Sequence, residues 1–223
     1  TVNRLMQNLV LRCAKEDGVR DYFHIGVIGY GERVQPLIEP SESAQNSTQL
    51  IPISHLAERP KRMDERLREM DVGDGRTEEK RVKVPVWFDP HAKNGTPMCQ
   101  ALDLAAQSVR TWIDQHPHSF PPVVLNVTDG EATDGEPLRY AQQLRSFATD
   151  DGEVLLFNVH LSSSEAPAVE LPSAPGELPR TDEYAETLYQ MSSTLPFSMR
   201  AAAEQEGYTV NLDTRGFVFN ADP

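Results

Sequence analysis

The chain is short of several things, and each shortage closes off a class of function. Only two cysteines, Cys13 and Cys99, occur in 223 residues. Two isolated cysteines make neither a disulfide framework nor a zinc site, although a single Cys13–Cys99 bridge stays open. Lys and Arg number 21 against 34 Asp and Glu, for a net charge of -13. That balance disfavours nucleic acid, which needs cations to neutralise phosphates, and equally an anionic membrane surface. It suits solubility, cations or a basic partner. No apolar run approaches the roughly 20 residues of a membrane span. The opening segment is charged and amphipathic, without a secretory-leader pattern, so a reducing cytoplasm is the expected compartment.

Two nucleotide and hydrolase signatures are also missing. The glycines of "GVIGYG" (Gly26, Gly29, Gly31) are not in G-x-G-x-x-G order and open no helix, so close packing explains them better than a phosphate cradle. "SSS" at 162–164 has no G-x-S-x-G elbow to make a nucleophile.

What is present is the composition of a globular protein, 39% hydrophobic and 25% charged. "VNRLMQNLVLRCAKE" sets Leu5, Met6, Leu9, Val10 and Cys13 at helical spacing, and Gly18 ends the helix. "DYFHIGVIGY" reads as a strand buried on both faces, and "RVQPLIEP" as an edge strand tolerating Pro36. About 40–85 forms a polar insertion. Within it "HLAERPKRMDERLREM" reads as a short helix with Met63, Leu67 and Met70 on one side, "DVGDGRTEEKR" as loop and "VKVPVWFDP" as an edge strand.

Pattern returns at "NGTPMCQALDLAAQSVRTWIDQHP", where Thr96 is the expected N-cap and Pro97 the first helical residue. "FPPVVLNVTDG" and "GEVLLFNVHLS" read as buried strands, with "PLRYAQQLRSFATD" as the helix between them. A Pro-rich loop covers about 164–182; "EYAETLYQMSS" and "FSMRAAAEQEG" read as helices, and "YTVNL" as the last strand. Buried strands alternating with amphipathic helices predict an α/β fold, with a doubly wound, mostly parallel sheet and helices on both faces, in a single domain spanning 1–223. In such sheets the ligand site lies beyond the carboxyl ends of the strands, which points to "NGTPM" and "TDGE".

Asp129 fits an Asp-Gly turn and a metal ligand alike. Asp129, Glu131, Asp134 and Glu136 crowd four carboxylates into one loop, which suits exposure or a hard cation. Thr96 can cap its helix or ligate such a cation. Among the histidines, His116 and His118 sit in a helix-to-strand loop without a third ligand, His91 lies near the Thr96 loop, and His24 and His160 fall in strands as packed or hydrogen-bonded residues.

"NGTPMCQALDLAAQSVRTWI" followed by "FPPVVLNVTDGEATDG" resembles a von Willebrand factor type A (vWA) domain. More narrowly it is similar to bacterial cytoplasmic members of stress-response and conflict systems, some associated with tellurite resistance. The resemblance continues through "RDYFHIGVIGYGE", "GEVLLFNVHLS" and "RGFVFNAD". It implies a metal-ion-dependent adhesion site (MIDAS), with Thr96 and Asp129 as ligands of Mg²⁺ (or Mn²⁺ or Ca²⁺) and Glu131 and Asp134 on the partner-binding rim. An acidic side chain of another protein would complete the cation, and no bond would be made or broken.

The family's Asp-x-Ser-x-Ser loop occurs nowhere in this sequence, nor does the final helix. The expectation is therefore a domain incomplete at both ends, lacking the central first strand between residues 22–31 and 122–128. The other classes are a metal-dependent, phosphohydrolase-like enzyme using carboxylates around Asp129, and a metal-free structural domain.

Overall fold

The computed structural model describes residues 2–38, 50–71, 77–89 and 95–220. The chain divides into two compact units, Thr1–Gly29 with Pro36–His91, and Tyr30–Gln35 with Ala92–Pro223.

In the first unit, helix α1 (Val2–Cys13) buries Met6 and Cys13 against helix α2 (Ile53–Glu58), which supplies Ile53 and Leu56. Trp87 closes this core and donates its indole N–H to Leu56 O at 2.7 Å. The segment expected as one continuous buried strand is instead two short pieces, His24–Ile25 and Ile28–Tyr30, all half-buried. Gly29 packs so closely on Leu37 that a Cβ would sit 2.9 Å from its Cδ1, as the packing account of that glycine requires.

The polar insertion corrects the sequence reading most sharply. Arg62–Asp71 is not helical but a strand, β1, paired antiparallel along its whole length with β2 (Thr77–Val86). Residues 77–81, expected as loop, belong to that ribbon. Met63 and Leu67 remain exposed, so the apolar spacing that suggested a helix buries nothing. Cross-strand pairing decides the conformation: Glu65 lies opposite Lys83 and ion-pairs with Arg81 at 3.9 Å. The side chain of Met70 lies outside the described residues, as does His91.

The second unit holds a four-stranded, mostly parallel sheet. Helix α3 (Met98–Gln115) leads to strand β3 (Val123–Thr128), then helix α4 (Pro137–Arg145) and strand β4 (Leu155–His160). A two-residue strand β5 (Val169–Glu170) lies in the Pro-rich stretch, followed by helices α5 (Glu183–Met191) and α6 (Phe197–Gln205) and strand β6 (Phe217–Phe219). The sheet order is β5-β6-β4-β3, with only β5 antiparallel. "YTVNL" at 208–212 forms no strand; the last strand comes after it, at 217–219. The observed class is α/β, with one mostly parallel sheet.

Strand alternation sorts the sheet's two faces. Leu156, Phe217 and Phe219 point into a core with Met98, Leu102 and Val109 of α3, Leu144 of α4 and Leu188 of α5. Asn126, Thr128, Asn158 and His160 share that face. Asn126 and Asn158 stand opposite each other in register, and Asn126 Nδ2 donates to Asn158 Oδ1 at 2.8 Å. Asn158 Nδ2 in turn donates to Leu188 O and Ser192 Oγ, and the Tyr30 hydroxyl donates to Asn126 Oδ1. The other face carries Val123 and Leu125, 46% and 45% exposed. Among the described residues β3 pairs with a strand on one side only. Pro122 O and Thr128 O point to β4, so the carbonyl of Val127 points to the free edge, where the Tyr30 hydroxyl donates to it at 3.1 Å. Among the described residues no helix is long and apolar enough to cross a membrane.

Candidate functional site

The carboxyl ends of β3 and β4 carry the polar residues singled out by the sequence. β3 runs into a turn in which Thr128 is buried, Asp129 exposed and Gly130 buried again. Thr128 Oγ1 accepts the Gly130 N–H at 3.1 Å, so the turn is closed by its own threonine. Gly130 has φ +106, a conformation that side-chain-bearing residues adopt only with strain. Asp129 is thus held between two buried residues with its side chain turned outward.

The loop then folds against the start of α3. Thr133 N–H donates to Thr96 O at 3.0 Å, and Thr96 N–H to Thr133 Oγ1 at 2.9 Å. These bonds bring the Thr96 loop and the Asp129 loop together at one end of the sheet. Thr96 is not the N-cap; α3 begins at Met98, and Pro97 precedes it with no side-chain cap bond. The capping carboxylate comes from Asp134, which accepts the N–H of Cys99 at 3.0 Å and of Gln100 at 2.9 Å. Burial pushes the Asp134 carboxyl up, but these backbone donors outweigh it and hold the group below the ordinary carboxylate range. Asp134, placed by sequence on a docking rim, is therefore engaged in starting α3. Glu131 stays exposed and faces Tyr184, whose hydroxyl is shifted upward by burial and then by that charge. Glu136 is exposed ahead of α4, whose first residue is Pro137.

Cys99 and Cys13 are both free and buried, so no bridge joins them. Burial, with Asp134 adding, pushes the Cys99 thiol up to about 11. Tyr30, next to the same edge, is pushed up to about 12 by burial and by the charge of Asp129. Its hydroxyl therefore remains a donor.

Contacts define His116, His118 and His160. His116 Nδ1 is 3.0 Å from Trp112 O and stacks on that indole, while His118 pairs with Asp150. His160 is fully buried and bonded through Nε2 to Asp182 Oδ1 at 2.9 Å. Asp182 also caps α5, accepting from the N–H of Tyr184 and Ala185, and takes the Ser162 hydroxyl. Sequence reasoning placed His160 in a strand but did not connect it to Asp182; the available signal was the Asp before a helix in "TDEYAETL".

Among the described residues no three His, Cys, Asp or Glu side chains are grouped to hold a metal. Asp129, Glu131 and Thr133 are exposed at this edge and Thr96 is half-buried. Comparison with known proteins found no matching family model, no matching curated protein and no matching solved structure.

Proposed function

We propose that the second unit is the sheet of a vWA-type domain, a non-catalytic binding module that docks an acidic side chain of another protein through Mg²⁺, Mn²⁺ or Ca²⁺. Asp129 and Thr96 supply the chain's oxygen ligands, Glu131 lies on the rim, and a bacterial stress-response or defence system is the setting the sequence resemblance suggests. The observation that carries this reading is the stitching of the two loops by Thr96 and Thr133, beside an outward-facing Asp129. Two ligands do not satisfy a hard cation, so waters, the partner's carboxylate and further donors from the chain's surroundings complete it. The doubly wound arrangement belongs to the same proposal: a further strand along the free edge of β3 would take the place of the Tyr30 hydroxyl at Val127 O, and a helix packed on the open face would cover exposed Val123 and Leu125.

Calorimetric titration of the chain with Mn²⁺ tests the ligand assignment. Binding is expected in the wild type, lost in Asp129→Ala and weakened in Thr96→Val. Undiminished binding by Asp129→Ala would sink it, since Asp129 is exposed and its loss leaves the fold intact.

A further inference from the structure

Beneath the turn that carries Asp129 lies a polar assembly built on the buried His160. His160 ends β4 directly opposite Thr128, the last residue of β3. Its ring is 0% exposed. Asp182 Oδ1 takes Nε2 at 2.9 Å and also the N–H groups of Tyr184 and Ala185, each at 3.0 Å, while Oδ2 accepts from Ser162. A carboxylate gathering such donors is an acceptor throughout, so Nε2 carries the hydrogen that faces it. The other ring nitrogen, Nδ1, is buried with no hydrogen-bond partner among the described residues. Buried polar atoms are rarely left this way, and one that is asks for a reason.

The ring edge that carries Nδ1 lies against the turn. A Cβ built on Gly130 would meet His160 Cε1 at 2.5 Å, His160 Nδ1 at 3.1 Å and Tyr184 Cβ at 2.7 Å. The imidazole edge and Tyr184 form a floor on which the Asp129–Gly130 turn rests, at a separation only glycine permits. Asp182 fixes both parts of that floor, orienting the imidazole through Nε2 and the first turn of α5 through its capping bonds. A ring filling space alone would need no such orientation.

We propose that His160 and Asp182 are positioning residues for Asp129: the imidazole, oriented by Asp182, sets the place of the turn and hence of the outward carboxylate. This rests on the reading of Asp129 as a cation ligand. The pair touches neither cation nor partner and acts through Gly130.

The test uses the intact chain with His160→Ala, which removes the floor, and His160→Phe, which keeps a flat ring but loses the bond to Asp182. Leu156→Val, in the core of the same strand, is the control for general destabilisation. Amide hydrogen exchange at Asp129, Gly130 and Glu131 is measured by NMR, with Mn²⁺ affinity and Tm alongside. His160→Ala is expected to speed exchange at these amides beyond the rest of β3 and to weaken Mn²⁺ binding about tenfold or more, as loss of an orienting partner does. His160→Phe should fall between, and the Leu156 control should lower Tm with neither effect. Exchange and affinity indistinguishable from the control would overturn the proposal. If the wild type binds no Mn²⁺, the cation reading fails and the exchange comparison alone decides the positioning role. If His160→Ala does not fold, His160→Phe and Asp182→Asn carry the same comparison.

Discussion

Thr133 holds Thr96 through two of its polar groups, its N–H donating to the Thr96 carbonyl and its hydroxyl oxygen accepting the Thr96 N–H. Thr133→Val keeps the shape and removes the acceptor. Because the site is exposed, the expected stability loss is modest, about 0.5–1 kcal/mol by thermal unfolding. The effect on Mn²⁺ affinity should be out of proportion to it. An unchanged affinity would show that the two loops need no stitching to present their ligands.

Asp134→Ala should cost about 0.5–2 kcal/mol, the usual range for loss of a capping side chain at a helix start. The group also has a pH signature. Its folded pKa lies below the ordinary value of 3.8, so its stabilisation is fully present above that value and is lost as pH falls through the folded pKa. Chemical denaturation of Asp134→Asn across the acid range should show a shallower acid limb than wild type. Parallel curves would mean the cap contributes nothing.

Cys99 should be a slow nucleophile. Its thiol is buried and pushed up to about 11, so the reactive thiolate is scarce at neutral pH. Mass spectrometry after brief iodoacetamide treatment should find Cys99 unmodified in the native chain and alkylated in denaturant. Rapid native labelling would contradict the burial.

The two faces of the sheet should respond differently to truncation. Leu156 is 0% exposed and Leu125 45% exposed. Leu156→Ala is expected to cost about 2–5 kcal/mol and Leu125→Ala less than about 1 kcal/mol by urea unfolding. Equal losses would mean that the Leu125 face is covered in solution.

Gly130→Ala is expected to be among the most damaging substitutions in the loop. It combines φ +106 with a Cβ 2.5 Å from the His160 ring, and backbone strain alone is worth about 1–3 kcal/mol. Thermal unfolding measures it; a Tm near wild type would show that the turn readily moves off the ring.

Sequence patterning found what is local and missed what is paired at a distance. α3, β3, β4 and α5 each carry their own periodicity or aliphatic run, and each lies where that pattern places it. Arg62–Asp71 has an apolar spacing of helical type, yet its partner strand, beyond its own window, makes it a ribbon. At the site, Thr96 looks like a cap because it precedes Pro97, whereas the actual capping carboxylate lies 35 positions after Cys99. "YTVNL" has the β-branched content of a strand, but the sheet takes "FVF", whose Phe217 and Phe219 fill the core. The outward Asp129 was legible because an aliphatic strand ends there; the His160–Asp182 support was not, because its two halves belong to different elements.

The facing amides of Asn126 and Asn158 give the sheet its alignment. Sliding β3 by one residue along β4 would turn Asn126 to the open face and strand the amide oxygen of Asn158 in the core. Sliding it by two would set Asn126 against Leu156 or His160 instead of its mate. Either slip leaves buried amide groups unbonded, at about 1–3 kcal/mol each, whereas Val, Leu and Val in the same strand would tolerate the change. A single polar rung therefore gives β3 one address on β4, and fixes which residue, Asp129, emerges at the top.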